Sequence, residues 1–215
     1  MASTAIRIPA RDRRLQIMEV AKELFARQGF EGTTTRQIAE HARVNEAIIF
    51  RHFPTKEDLY WAIIDRECEV ARWQQTLRNQ LSSGASDREI FAEIAKEILI
   101  RRAKDSSLSR LLLFSALENQ RRSQRFFQTY VVEYYELIAE FIRRRIEKGA
   151  FRSVNPLLAA RGFVGMIVYH SLIQEIFGGK RYQEFDVQEV SETLTDIWLG
   201  GMQVRENQSS RRGKK

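Results

Sequence analysis

"TTTRQIAEHARVNEAIIFRHFPTKEDLY", residues 33–60, decides how this chain is read. Three helix starts fall inside it. Thr34 can cap a helix, and Gln37, three residues on, can reach back to it in a capping box. That helix ends near Ala42. Asn45 suits the cap of a second helix, short because Pro54 disfavours helical backbone at the residue before it. Thr55 caps a third, with Lys56, Glu57 and Asp58 in its first turn. Ala39 is small enough for two helices to cross closely, and Ile38, Val44, Ile49 and Phe53 are placed to lock the second helix down. Residues 34–53 therefore read as a helix-turn-helix.

Working outward, Ile17, Ala21, Leu24 and Phe25 recur at helical spacing, and Gly29 closes that pattern. Beyond Thr55 the pattern predicts one long helix to about Leu81, then "SSGASD" (82–87) as a linker in which Ser86 and Glu89 form another capping box. Helices are predicted over 87–104, 107–119, 123–148 (closed by Gly149), 156–177 (opened by Asn155-Pro156, ended by Gly178-Gly179) and 186–203. No strand-type alternation stands out, and 3 prolines with 11 glycines are too few turn signals for a β fold. The expected fold class is all-α: a three-helix head followed by a larger helical domain.

Composition narrows the function. A chain with 43% hydrophobic and 29% charged residues can bury a core. Its 35 Lys+Arg against 28 Asp+Glu give a net charge of +7 and a pI near 9.7, which suits nucleic acid or an acidic membrane surface without deciding between them. A single cysteine, Cys68, excludes an intrachain disulfide and a cysteine-rich zinc site. His41, His52 and His170 lie far apart, no Glu-x-x-His pair occurs, and no glycine-rich nucleotide loop is present. No catalytic residue, metal ligand set or cofactor is expected, and the chain does not read as an enzyme. "MASTAIRIPARDRR" lacks the apolar core of a signal peptide, and the most apolar run, "FVGMIVYHSLI" (163–173), is too short to span a bilayer. A soluble cytoplasmic protein with no membrane partner is expected, carrying a flexible basic arm over 1–10 and a disordered basic tail over 204–215.

Residues 13–64 resemble the DNA-binding segment of the TetR/AcrR family of bacterial transcriptional regulators. The resemblance rests on Thr33-Thr34, Ile38-Ala39, Ala42-Arg43-Val44-Asn45, Phe50-Arg51-His52-Phe53 and Lys56-Glu57-Asp58-Leu59 in fixed order, preceded by "AKELFARQGFEGT". It implies a DNA-binding domain over 11–55 and an effector-binding and dimerisation domain over 56–203. By this resemblance Lys56, at the start of a helix, binds phosphate. Thr34, His52, Arg11, Arg13 and Arg14 are further backbone contacts. Arg36, Asn45, Glu46, Ala47 and Ile48 face the groove or its rim, with Glu46 able to accept from cytosine N4 and Ile48 to pack on a thymine methyl. Phe50, Arg51 and His52 point towards the DNA side. Two departures stand out: Arg43 occupies the usual turn glycine, where a left-handed backbone costs about 1–2 kcal/mol and a phosphate contact can offset it, and Phe50 replaces a tyrosine.

The resemblance also implies a homodimer through the helices near 156–177 and 186–203. Two reading helices would then match a palindromic double-stranded operator. It further implies an apolar or aromatic small-molecule effector among Trp73, Phe114, Phe127, Tyr130, Tyr134, Phe163, Ile167 and His170, whose binding releases a repressor from DNA. The alternative is a basic protein that binds nucleic acid or a membrane surface without sequence preference. Such a protein would lose all its DNA affinity alike as salt rises.

Overall fold

Helix starts are set by side chains that accept the orphan N–H groups of each first turn. In the computed structural model, which describes residues 9–204, Thr34 accepts from Gln37 N–H and Gln37 bonds back to Thr34 N–H, so α2 (Thr35–Ala42) begins at the expected capping box. Asn45 accepts from Ala47 N–H and opens α3 (Glu46–His52). Thr55 forms a second box with Asp58 at the start of α4 (Lys56–Cys68). Ahead of them runs α1 (Ala10–Gln28), closed by Gly29 at φ 77°. The remaining helices are α5 (Val70–Leu81), α6 (Asp87–Lys104), α7 (Ser107–Glu118), α8 (Gln120–Phe126), α9 (Val132–Glu147), α10 (Pro156–Glu175) and α11 (Val187–Met202). Among the described residues there is no strand, only an antiparallel bridge between Phe151 and Gln203. The fold is all-α. Most of the expected arm and tail, residues 1–8 and 205–215, lies outside the described residues.

Two predicted helices are interrupted. The long helix from Thr55 to Leu81 breaks at Glu69, which adopts a left-handed backbone (φ 41°) and closes α4 through its N–H to Asp65 O before α5 resumes. The helix predicted over 123–148 starts earlier, at Asn119, whose side chain accepts from Arg121 and Arg122 N–H. It then widens into a π-helical turn over Phe127–Val131. Such turns insert one residue and are frequent at functional sites.

The chain forms two compact units. Among the described residues the first comprises 9–73 and 105–130, the second 74–104 and 131–204. In the first unit α1 packs on α2, α4 and α7, and α2 on α3. Its core is continuous from Ile17, Ala21 and Phe25 through Ile38, Ile49 and Phe53 to Leu59, Tyr60, Ile63 and Ile64, and it takes in Leu111 and Tyr130 from the second segment. Tyr60 Oη and Ser115 Oγ share a buried hydrogen bond at 2.5 Å, which fastens α4 to α7.

In the second unit α6 packs on α10 and α11, and α10 on α9 and α11. Its centre is aromatic: Phe91 lies 4.9 Å from Phe163 and 4.4 Å from Trp198, ring centre to ring centre, with Phe141 and Phe151 at its sides. Aromatic pairs at tilted and edge-on angles add stabilisation beyond area burial.

Candidate nucleic-acid interface

The helix-turn-helix sorts its residues by face. Ile38, Ala39, Ala42, Ile49 and Phe53 are buried. Thr34, Arg36, Arg43, Asn45, Ala47, Phe50 and Arg51 are exposed, and Glu46, Ile48, His52 and Lys56 are half-buried. Eleven of the fourteen expected contact residues thus fall on one short run from the start of α2 to the start of α4, while Arg11, Arg13 and Arg14 lie on α1. Phe50 is 46% exposed, an uncommon position for a phenylalanine with no hydroxyl to solvate. Ile48 is also packed against the core, so only part of its side chain is available to a base. The turn keeps its left-handed residue despite the missing glycine: Arg43 has φ 54° and ψ 46°, and Val44 N–H closes the turn on Ala39 O at 3.0 Å.

Besides the caps Thr34 and Asn45, three of these side chains are bonded to groups of the protein itself. Glu46 accepts a short hydrogen bond from Thr35 Oγ1, tying the start of α3 to the start of α2. Arg36 pairs with Glu40 at 3.0 Å while staying open to solvent. The Lys56 ammonium donates to Phe30 O at 2.9 Å and Thr33 O at 2.8 Å and lies 4.2 Å from the centre of the Phe30 ring. An ammonium has three donors, so Lys56 first serves to hold the loop before α2, with one donor left for phosphate. Burial pushes its pKa below the ordinary lysine value. His52 is held below the usual histidine pKa, first by burial and then by the charges of Arg51 and Arg14. Its Nε2 is buried without a hydrogen-bond partner in the chain.

Other contributors have no local signature in the sequence. Gln16 Nε2 donates to Ala42 O at 3.1 Å, satisfying a carbonyl at the end of α2. The Arg14 guanidinium lies 4.6 Å from the Phe53 ring centre, which draws one expected backbone contact towards the scaffold. From α8, Arg122 reaches Glu31 and Glu57. Only the folded chain brings these residues together.

The eight expected effector residues are divided. Trp73, Phe114, Phe127 and Tyr130 fall in the first unit; Tyr134, Phe163, Ile167 and His170 fall in the second. Tyr130 is buried, donates to the Asp65 carboxylate and stacks on Phe126 at 5.2 Å. Phe163 and Ile167 are fully buried, Phe163 inside the aromatic centre. His170 is half-buried, edge-on to Phe185 at 5.8 Å.

An all-α chain whose first unit presents a short helix with basic, amide and apolar side chains outward has the form of a major-groove reader. Residues 17–63 match the family model of bacterial regulatory proteins, tetR family, and residues 92–200, half of the chain, match that of the AefR-like transcriptional repressor, C-terminal domain. The chain belongs to the TetR family of transcriptional regulators, DNA-binding proteins rather than enzymes. It is 26% identical over 201 residues to YvkB of Bacillus subtilis (strain 168), an uncharacterized HTH-type transcriptional regulator, covering 87% of this chain and 95% of that protein. Solved structures with a similar fold include NalD of Pseudomonas aeruginosa, the secondary repressor of the MexAB-OprM multidrug efflux pump, with a TM-score of 0.69, 18% identity, and coverage of 92% of this chain and all of that one. FadR of Bacillus subtilis in complex with stearoyl-CoA has a TM-score of 0.68 and 18% identity, covering 87% of this chain and 98% of that one.

Proposed function

We propose that this regulator is a homodimeric repressor that reads a two-fold operator with α3 and leaves it when a small apolar or aromatic molecule binds its second unit. The observation that carries the DNA reading is the outward face of α3 and its flanks: Asn45, Ala47, Phe50 and Arg51 are exposed while Ile49 and Phe53 are buried. Asn45, Ala47 and the free part of Ile48 read base edges, Phe50 makes an apolar contact, and Arg43, Arg51 and the exposed Arg11 neutralise phosphates. A regulator of this kind works where DNA is, in the cytoplasm.

The dimer reading is supported by an apolar face left uncovered on α10 and α11. Leu158 is 69% exposed, Tyr169 66% and Ile197 61%, and at Gly162, Gly165, Gly200 and Gly201 a Cβ would meet open space. Small residues of this kind let a second backbone approach closely. Of the described helices, α10 alone is long and apolar enough to cross a membrane; pairing with a second copy covers that face without one. An effector with an apolar body fits the aromatic character of the second unit, and the solved relative FadR holds an acyl-CoA ester. Ile197→Glu tests the assembly: light scattering is expected to give monomers with strongly weakened operator binding, and an intact dimer would refute the interface.

A further inference from the structure

We propose that Arg122 and Glu118, at the α7–α8 corner, are positioning residues for operator recognition, setting the pose of α3 from outside the segment that touches DNA. The helix-turn-helix is suspended between two ends: the loop Gly29–Thr34 before α2 and the first turn of α4 after α3. Arg122 joins those ends. Its side chain is only 7% exposed, and its guanidinium reaches Glu31 of the loop at 2.8 Å and Glu57 of α4 at 3.5 Å and lies 4.0 Å from the Phe30 ring centre. Glu118 completes the grip, accepting from Phe30 N–H at 3.1 Å and Glu31 N–H at 3.4 Å, with Arg122 3.8 Å from its carboxylate. The seat is close: a Cβ on Gly29 would fall 1.9 Å from Glu118 Oε1, and the φ of 77° there also favours glycine. Lys56 holds the same loop from below α4 by the carbonyls of Phe30 and Thr33.

Charge explains why the arrangement depends on Arg122. Without it, the charges of Glu31, Glu57 and Glu118 are left with Lys56, which feels all three but is already committed to two carbonyls. Like charges at this range repel, so the loop and α4 spread and α3 tilts. The Arg122 guanidinium is turned to protein groups, the carboxylates of Glu31, Glu57 and Glu118 and the Phe30 ring, so the proposal gives it no role at a phosphate. Its removal is therefore expected to blunt base reading while leaving general attraction to DNA in place, because the exposed arginines that supply that attraction are untouched.

The proposal rests on the reading that α3 recognises an operator, and the experiment separates the two. The wild-type chain is first used to select an operator from a random DNA pool; failure to select any motif would count against that reading and the proposal with it. Fluorescence anisotropy then compares the selected duplex with a scrambled duplex of equal length, for Arg122→Met, Arg122→Lys and Glu118→Gln, below each variant's Tm. Arg122→Met is expected to lose about tenfold or more in operator affinity, the scale of one well-aligned base contact. Affinity for the scrambled duplex should stay within about twofold, and the salt slope should not change. Arg122→Lys, which keeps the charge, should recover part of the loss, and its amides at Phe30 and Glu31 should exchange more slowly than those of the Met variant. A lowered Tm with unchanged operator affinity would show a purely structural role. Equal losses on both duplexes with a slope reduced by about one would show a phosphate contact. Either result overturns the proposal, and Glu118→Gln is read in the same way should Arg122→Met fail to fold.

Discussion

Lys56 shows how a residue expected at a phosphate can already be occupied inside the protein. A lysine at the start of a helix is well placed for phosphate, but here two of its donors hold the loop before α2. Lys56→Met should cost about 1.5–3 kcal/mol of stability in urea unfolding, the scale of hydrogen bonds to a charged group. Unchanged stability with a lower salt slope would return Lys56 to the phosphate role. Arg43 is the opposite case, a side chain free to act from a strained backbone. Arg43→Gly relieves about 1–2 kcal/mol of left-handed strain and costs about 0.4–1 kcal/mol through a more flexible unfolded chain. Stability should therefore rise by about 0–1.6 kcal/mol, while the salt slope of DNA binding falls by about one. At this scale the sequence made exposure and residue type legible, because both follow from position on a short amphipathic helix. It did not make legible what each side chain bonds to: Glu46 with Thr35, Lys56 with Phe30 and Arg122 with Glu31 are pairings the fold alone brings within reach.

Helix starts were readable for a local reason, since a cap and its acceptor lie within three residues of each other. Thr34-Gln37, Thr55 and Ser86-Glu89 all open helices as their spacing implies. Interruptions were not readable. Glu69 breaks a helix with neither glycine nor proline beside it, and the π-helical turn at Phe127–Val131 has no compositional mark. Glu69→Gly tests the first: with the strain removed, stability should rise by about 0–1.6 kcal/mol, whereas a clear loss would mean that the Glu69 side chain holds the break. The last residue of α3 also gives a pH dependence. His52 and, in α10, His170 are both held below the ordinary histidine pKa, in each case first by burial. A depressed folded pKa means the unfolded chain takes up protons first, so this contribution is complete above pH ~6.5 and is lost as pH falls through the folded values. Thermal unfolding should therefore show Tm falling from pH 7.5 towards 5.5, and the double variant His52→Gln, His170→Gln should flatten that fall.

For the molecule as a whole, the first unit is more than its reading motif. Segments 9–73 and 105–130 share one core, so α7 and α8 belong with the helix-turn-helix although more than thirty intervening residues fold elsewhere. That non-local assembly leaves no mark in sequence patterning, whereas the all-α class and the helix-turn-helix do. The second unit supplies the apolar face of α10 and α11 that we assign to a second copy, and with it the two-fold symmetry expected of the operator. The central claim is sequence-specific reading of such a site by α3. Selection from a random DNA pool tests it most directly: the wild-type chain should return one inverted repeat, and Ile48→Ala should relax it at a single position in each half. Recovery of no two-fold motif, or of the same motif at the same stringency from wild type and Ile48→Ala, would contradict it.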